Sequence, residues 1–312
     1  HYFSRIAGRY LEVTTQNTKE LPKISYIGII PTEYPINVYP MPDLPDELHR
    51  KIYEVSVRTL CLCMHEHYED TPWREQALYG LDSRNQALCG YYAFGEYDFA
   101  GASFRLMGKC IRKDGLTRLI APSEFDLIIP SFCLSWIMEV AEYFEHSGKI
   151  DEEMINRGEF MMDLLSKNQK DGLPNVLGGE NNWHFYEWSP GLANDVTGVF
   201  PSGGADHDPK QVFHAPYILF LLWALRKLAP YSAKGDTYRK AYEEIKAKFN
   251  QIFFDAEKGV YFTYFDGQNG YHYAELVQAL AICSGVSENP SALREILADS
   301  ENGLVKLTLS HF

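Results

Sequence analysis

From residue 46 onward, apolar residues recur at helical spacing in one stretch after another. In 131–146, Leu134, Ile137, Met138 and Ala141 share one face, and Gly148 follows as a stop. Residues 151–169 repeat the pattern through Met161, Leu164 and Leu165. Ile218, Leu221, Leu222, Leu225 and Leu228 form a further stripe, in a helix predicted to open at an Asp208-Pro209 cap and run through Ala229. Residues 46–68, 83–112 (interrupted by Gly90, Gly95 and Gly101), 236–254, 272–284 and 290–300 complete a set of about eight long helices. Helix pairs following one another in this way predict a toroid or a solenoid. A solenoid is disfavoured because no repeat of fixed period runs along the chain.

Residues 1–43 have a different texture. The stretches 9–14 and 24–30 are β-branched and aromatic, and read as strands. Pro31, Pro35, Pro40, Pro42 and Pro45 then follow closely, which neither a central strand nor a helix interior tolerates, so this run is a connector. Almost no strand is expected after residue 43. The loop 171–207 is long for a compact domain and carries Trp183, His184, Tyr186, Glu187 and Trp188, the mark of a functional loop.

The formal net charge of -13 removes the phosphate backbone of nucleic acid and anionic membrane surfaces from the plausible partners. No apolar run approaches the ~18 residues of a membrane-crossing helix. Aromatic residues make up 14% of the chain; most belong to a core, but such rings also serve as platforms for sugar rings. The cysteines (Cys61, Cys63, Cys89, Cys110, Cys133 and Cys283) form no Cys-x-x-Cys pair and sit mostly in apolar stretches. They read as buried free thiols rather than zinc ligands, and lean towards a reducing, cytoplasmic setting. The chain starts at His1 without a signal peptide and both ends look cut, so a piece of a longer polypeptide is expected.

The chemistry concentrates between His65 and Gln86. Three carboxylates, Asp70, Glu75 and Asp82, stand five and seven positions apart. On an ideal helix Glu75 and Asp82 would share a face about 10 Å apart, unless Gly80 breaks it. A carboxylic acid kept protonated near neutral pH can protonate a leaving oxygen, and neighbouring carboxylates can hold sugar hydroxyls. Plainer readings stand beside these. Asp70 can cap a helix at Thr71-Pro72, and Glu75 can be a surface ion pair with Arg74. His65 and His67, two apart, face away from each other on a helix and make a poor metal pair. Asp206-His207-Asp208 is better explained by capping than by metal binding. No metal and no cofactor is expected.

The run Asp70-x-Pro72-x-Arg74-Glu75 with Asp82 beyond it resembles the signature of the family 78 glycoside hydrolases, the inverting α-L-rhamnosidases. Trp183-His184-Phe185-Tyr186-Glu187-Trp188 resembles the family's later aromatic segment, and Leu307-Thr308-Leu309-Ser310 a helix start near its C-terminal part, so the likeness covers nearly all of 44–312. The resemblance implies an (α/α)6 barrel over 44–312, lacking its last helices, with residues 1–43 as the end of a β-sandwich domain and a linker. It implies Glu75 as general acid, Asp70 and Asp82 as ligands of the rhamnose ring with Arg74 beside them, and Trp188, Trp183 and Trp136 as walls of the sugar site. Tyr79 and Glu187 join the substrate-binding set. Many relatives carry Cys at the position of Thr71 and Trp at that of Tyr79, which reshapes the subsite. The family's general base, a Glu in a Trp-Glu-Thr-like segment, has no counterpart in these residues and is expected beyond Phe312. The substrate implied is a rhamnose-containing glycoside. Alternatives are another (α/α)6 glycosidase, a phosphorylase, or a carbohydrate-binding protein without catalysis.

Overall fold

The computed structural model describes residues 5–20, 23–177, 181–193 and 213–307. Among these residues it contains nine helices: α1 Glu47–Leu62, α2 Gly80–Ala93, α3 Asp98–Lys109, α4 Pro130–Ser147, α5 Glu152–Lys167, α6 Ala215–Leu228, α7 Gly235–Phe253, α8 Glu275–Cys283 and α9 Pro290–Ala298. Local chemistry sets several of their ends. Asp46, Asp151 and Asn289 cap α1, α5 and α9, each accepting a backbone N–H from the first turn. Gly148 stops α4 in the left-handed region at φ 68°, where a side chain would be strained.

Burial separates the helices into two layers. Fifteen residues of α4 and twelve of α6 are buried, whereas α7 and α5 bury one stripe each. Helices α2, α4, α6 and α8 pack side by side as the inner layer, and α1, α3, α5, α7 and α9 lie outside them. This alternation is the mainly helical architecture of an (α/α)6 toroid.

The turns from inner to outer helices are short, and the connections into the inner helices are long. Those long connections carry all nine of the two-residue strands among the described residues: β1 Leu78–Tyr79, β2 Ile120–Ala121, β3 Gln169–Lys170, β4 Leu173–Pro174, β5 Phe213–His214, β6 Phe254–Asp255, β7 Val260–Tyr261, β8 Tyr264–Phe265 and β9 Gly270–Tyr271. The pairing β1–β2 ties the loop before α2 to the loop before α4. A parallel bridge between Ile128 and Asn182 ties the loop before α4 to the loop before α6, and β5–β8 joins that one to the loop before α8. The N-termini of the inner helices therefore gather at one end, roofed by linked loops.

A polar seam runs through the inner layer. Arg84 on α2 forks onto Glu142 on α4 at 2.7 and 2.8 Å, and its guanidinium lies 4.5 Å over the Trp223 ring of α6. Ser83 donates to Glu139 at 2.7 Å, and burial holds the Glu139 carboxyl well above its ordinary range.

Three expectations from sequence are corrected. Residues 9–14 and 24–30 form no strand; among the described residues no edge pairs with them, and Tyr10 and Ile30 are exposed. A β-rich texture makes a strand only where a ladder partner exists. The segment 70–82 is not one helix, since turns fill 72–75, β1 follows and Gly80 opens α2 rather than breaking it. Of the unpaired cysteines only Cys63 and Cys133 are buried, and Cys89 is exposed. The predicted cap at Asp208-Pro209 lies outside the described residues. No helix among the described residues is long and apolar enough to cross a membrane.

Candidate active site

The loop between α1 and α2 builds the site. Its base is closed by a reciprocal pair: Asp70 N donates to Ala77 O at 3.0 Å, and Ala77 N donates to the Asp70 carboxylate at 2.9 Å. Between these residues the chain turns sharply, with Gln76 in the left-handed region at φ 52° and its side-chain amide donating to Pro72 O at 2.9 Å. This fold-back puts Asp70 and Glu75 on one small loop at the N-terminal end of α2. Arg74 and Glu75 are exposed on it.

Tyr79, the last residue before α2, donates its hydroxyl to Glu75 Oε2 at 2.7 Å. Burial, and then that bond to Glu75, push the Tyr79 hydroxyl far above its ordinary range, so it remains a neutral donor. Asp82 sits one turn further on, in the first turn of α2. A helix N-terminus favours an ionised carboxylate. Here burial wins, joined by the charge of Asp70 and to a lesser degree that of Glu75, and Asp82 is pushed up to about 7. The charges of Asp70 and Glu75 thus both reach Asp82, which the segment's sequence spacing alone did not require.

Gly80 is needed where it stands: a Cβ there would lie 3.0 Å from the Phe132 carbonyl of α4. The close approach brings the loop before α2 beside an aromatic ladder. Tyr79 meets Phe132 edge-on at 6.5 Å, Phe132 meets Phe185 at 6.3 Å, and Phe185 contacts Trp183 at 4.9 Å and Trp188 at 4.7 Å. Ser131 Oγ donates to Phe185 O at 3.1 Å and fixes this segment to α4. The two stretches singled out in the sequence, 65–86 and 183–188, are therefore neighbours.

Within the second stretch the roles divide by exposure. Trp188 is 51% exposed and offers a ring face, while Trp183 is buried behind it. Glu187 is buried, and its carboxylate accepts from Trp188 N at 2.6 Å. Trp136, expected from the resemblance as a wall of the sugar site, is 1% exposed on α4, and its indole N–H donates to Phe104 O at 2.9 Å beneath α3. Nothing in the sequence marks Phe132 and Phe185 as the rings that join the two stretches, or Glu69 as a fully buried carboxylate beside Asp70. No group of three or more His, Cys, Asp or Glu side chains among the described residues is arranged to hold a metal ion.

A toroid of paired helices with carboxylates and aromatic rings gathered over the inner-helix N-termini is the architecture of the six-hairpin glycosidases. The chain belongs to the family of the bacterial alpha-L-rhamnosidase six-hairpin glycosidase domain, whose model matches residues 45–300. Among solved structures it is similar to a GH78 family rhamnosidase of Bacillus sp. GL1, at 24% identity and a TM-score of 0.71, over 84% of this chain and 27% of that one. A rhamnosidase from Klebsiella oxytoca with rhamnose bound matches at 20% identity and a TM-score of 0.70, over 87% of this chain and 51% of that one. The chain thus spans from a quarter to half of the length of these relatives. The fold extends further: a GH63 mannosylglycerate hydrolase from Thermus thermophilus matches at 14% identity and a TM-score of 0.52, over 80% of this chain and 76% of that one. By sequence, no curated protein matches this chain.

Proposed function

We propose that the protein is an inverting glycoside hydrolase that releases terminal α-L-rhamnose from rhamnose-containing glycosides. The observation that carries the reading is the placement of Asp70, Glu75 and Asp82 on one loop and helix start, linked through the rings of Tyr79, Phe132 and Phe185 to the exposed Trp188. Family membership and the rhamnose-bound Klebsiella relative support the choice of sugar.

In this reading Glu75 protonates the glycosidic oxygen as the bond breaks. Tyr79 orients its carboxyl through the 2.7 Å bond. Asp70 and Asp82 hold hydroxyls of the sugar ring, Arg74 lies at the rim, Trp188 stacks on a C–H face of the sugar, and Trp183 backs it. Glu187 sets the position of Trp188 through its backbone amide. Inversion also needs a carboxylate that activates water on the opposite face, roughly 6.5–9.5 Å from the acid. The chemistry requires no cofactor. A phosphorylase would need a cationic pocket for phosphate in place of that carboxylate, and a binding protein would hold rhamnose without turnover.

One observation favours a second assignment of the acid. Asp82, pushed up to about 7, retains a proton close to neutrality in the unliganded protein. The two assignments separate by leaving-group dependence. Glu75→Gln is expected to lower kcat by about 100-fold or more on rhamnosides with poor leaving groups, and far less on activated aryl rhamnosides. If Asp82 is the donor, Asp82→Asn shows that split and Glu75→Gln does not.

A further inference from the structure

The loop that carries Asp70 and Glu75 is gripped by a residue that precedes the matched domain. Arg5 reaches it with both its side chain and its backbone. Its guanidinium pairs with Glu66 through Nη1 and with Glu69 through Nη2. Glu69 is the residue immediately before Asp70. Its side chain is fully buried, and its second oxygen meets His65 Nδ1 at 3.1 Å. Its backbone is fixed too, donating to Cys63 O at 2.9 Å and accepting from the Gln86 side chain at 2.6 Å. At the far end of the loop the Arg5 carbonyl faces the side-chain amide of Gln76 at 3.5 Å. Gln76 is the residue immediately after Glu75, and its strained φ of 52° sets the turn.

Keeping a buried carboxylate ionised without a countercharge is costly. His65 is a poor candidate for that charge, because burial and then Arg5 itself hold its proton affinity below the ordinary range. Arg5 therefore supplies the countercharge that keeps Glu69 tucked beneath the loop. Without it Glu69 must turn outward or take up a proton, and either change releases the backbone next to Asp70.

We propose that Arg5 is a positioning residue of the candidate catalytic loop, clasping it at Glu69 and Gln76 so that Asp70 and Glu75 are held in register with Asp82. The effect on turnover rests on the glycosidase reading above; the clasp itself does not.

The test uses Arg5→Ala and Arg5→Lys in the full-length protein, each with and without guanidinium at a non-denaturing concentration. Hydrogen exchange and hydrolysis of an aryl α-L-rhamnoside are both followed. In Arg5→Ala the peptide spanning 70–79 is expected to exchange about tenfold faster or more, while peptides from α4 and α6 keep their protection. Free guanidinium should restore the slow exchange. Activity should follow, with kcat lowered about tenfold or more, a smaller change in KM, and recovery by guanidinium. Arg5→Lys, which brings one cation but no fork, should fall between. Unchanged exchange at 70–79 overturns the clasp. Should Arg5→Ala lose protection throughout, Arg5→Lys decides, since the proposal requires its loss to be confined to 70–79. Selective loss at 70–79 with unaltered kcat overturns the positioning role. If the unaltered protein hydrolyses no rhamnoside, the glycosidase reading fails and the exchange data still judge the clasp.

Discussion

Asp82 shows how one residue's surroundings reverse its default. Its folded-state value of about 7 lies above the 3.8 of an ordinary Asp. Between these values the folded protein keeps a proton that the unfolded chain has released, so stability falls as pH rises through that window. Below it no penalty exists; above it the penalty is complete. Asp82→Asn is therefore expected to stabilise the protein by about 4 kcal/mol near pH 8 and to change little near pH 4, as read from unfolding at the two pH values. The type and spacing of Asp70, Glu75 and Asp82 were legible in the sequence, and so was the aromatic character of 183–188. Which ring faces outward was not. Trp136 and Trp188 are the same residue type in comparable apolar surroundings, and only packing separates the one beneath α3 from the one at the surface. Arg5 was illegible for a related reason: nothing local marks an arginine whose partners lie 61 and 64 positions away.

At the scale of elements, helical periodicity was the reliable signal. The ranges predicted for α4, α5, α7 and α9 differ from the observed ones by no more than two residues at either end, because stripes and stops such as Gly148 are written locally. Strand texture in 9–14 and 24–30 was not reliable, since pairing is a property of two segments. The inner helices also hide a polar seam that periodicity does not reveal. Arg84, Glu142 and Trp223 come from three different helices, and their meeting is a fact of the toroid. Without Arg84, the buried Glu142 loses its bidentate partner and keeps only the Lys227 ammonium, 3.6 Å away. Arg84→Ala is therefore expected to destabilise the fold by about 3–5 kcal/mol, measured by denaturant unfolding. The double variant Arg84→Met with Glu142→Leu should recover most of that loss, because an apolar pair fills the same space without desolvating two ions.

On the scale of the whole molecule, alternating inner and outer helices bring four long loops to one end, and the candidate site is assembled from two of them. That arrangement explains why residues more than a hundred positions apart, Tyr79 and Trp188, belong to one aromatic ladder. It also explains why the fold alone does not specify a sugar: a mannosylglycerate hydrolase shares it. The claim about chemistry is tested most directly by following the full-length protein's action on an aryl α-L-rhamnoside by proton NMR from the first minutes. The account predicts turnover in which β-L-rhamnose appears first and the α-anomer only later, by mutarotation. No turnover, or the α-anomer as first product, would contradict it.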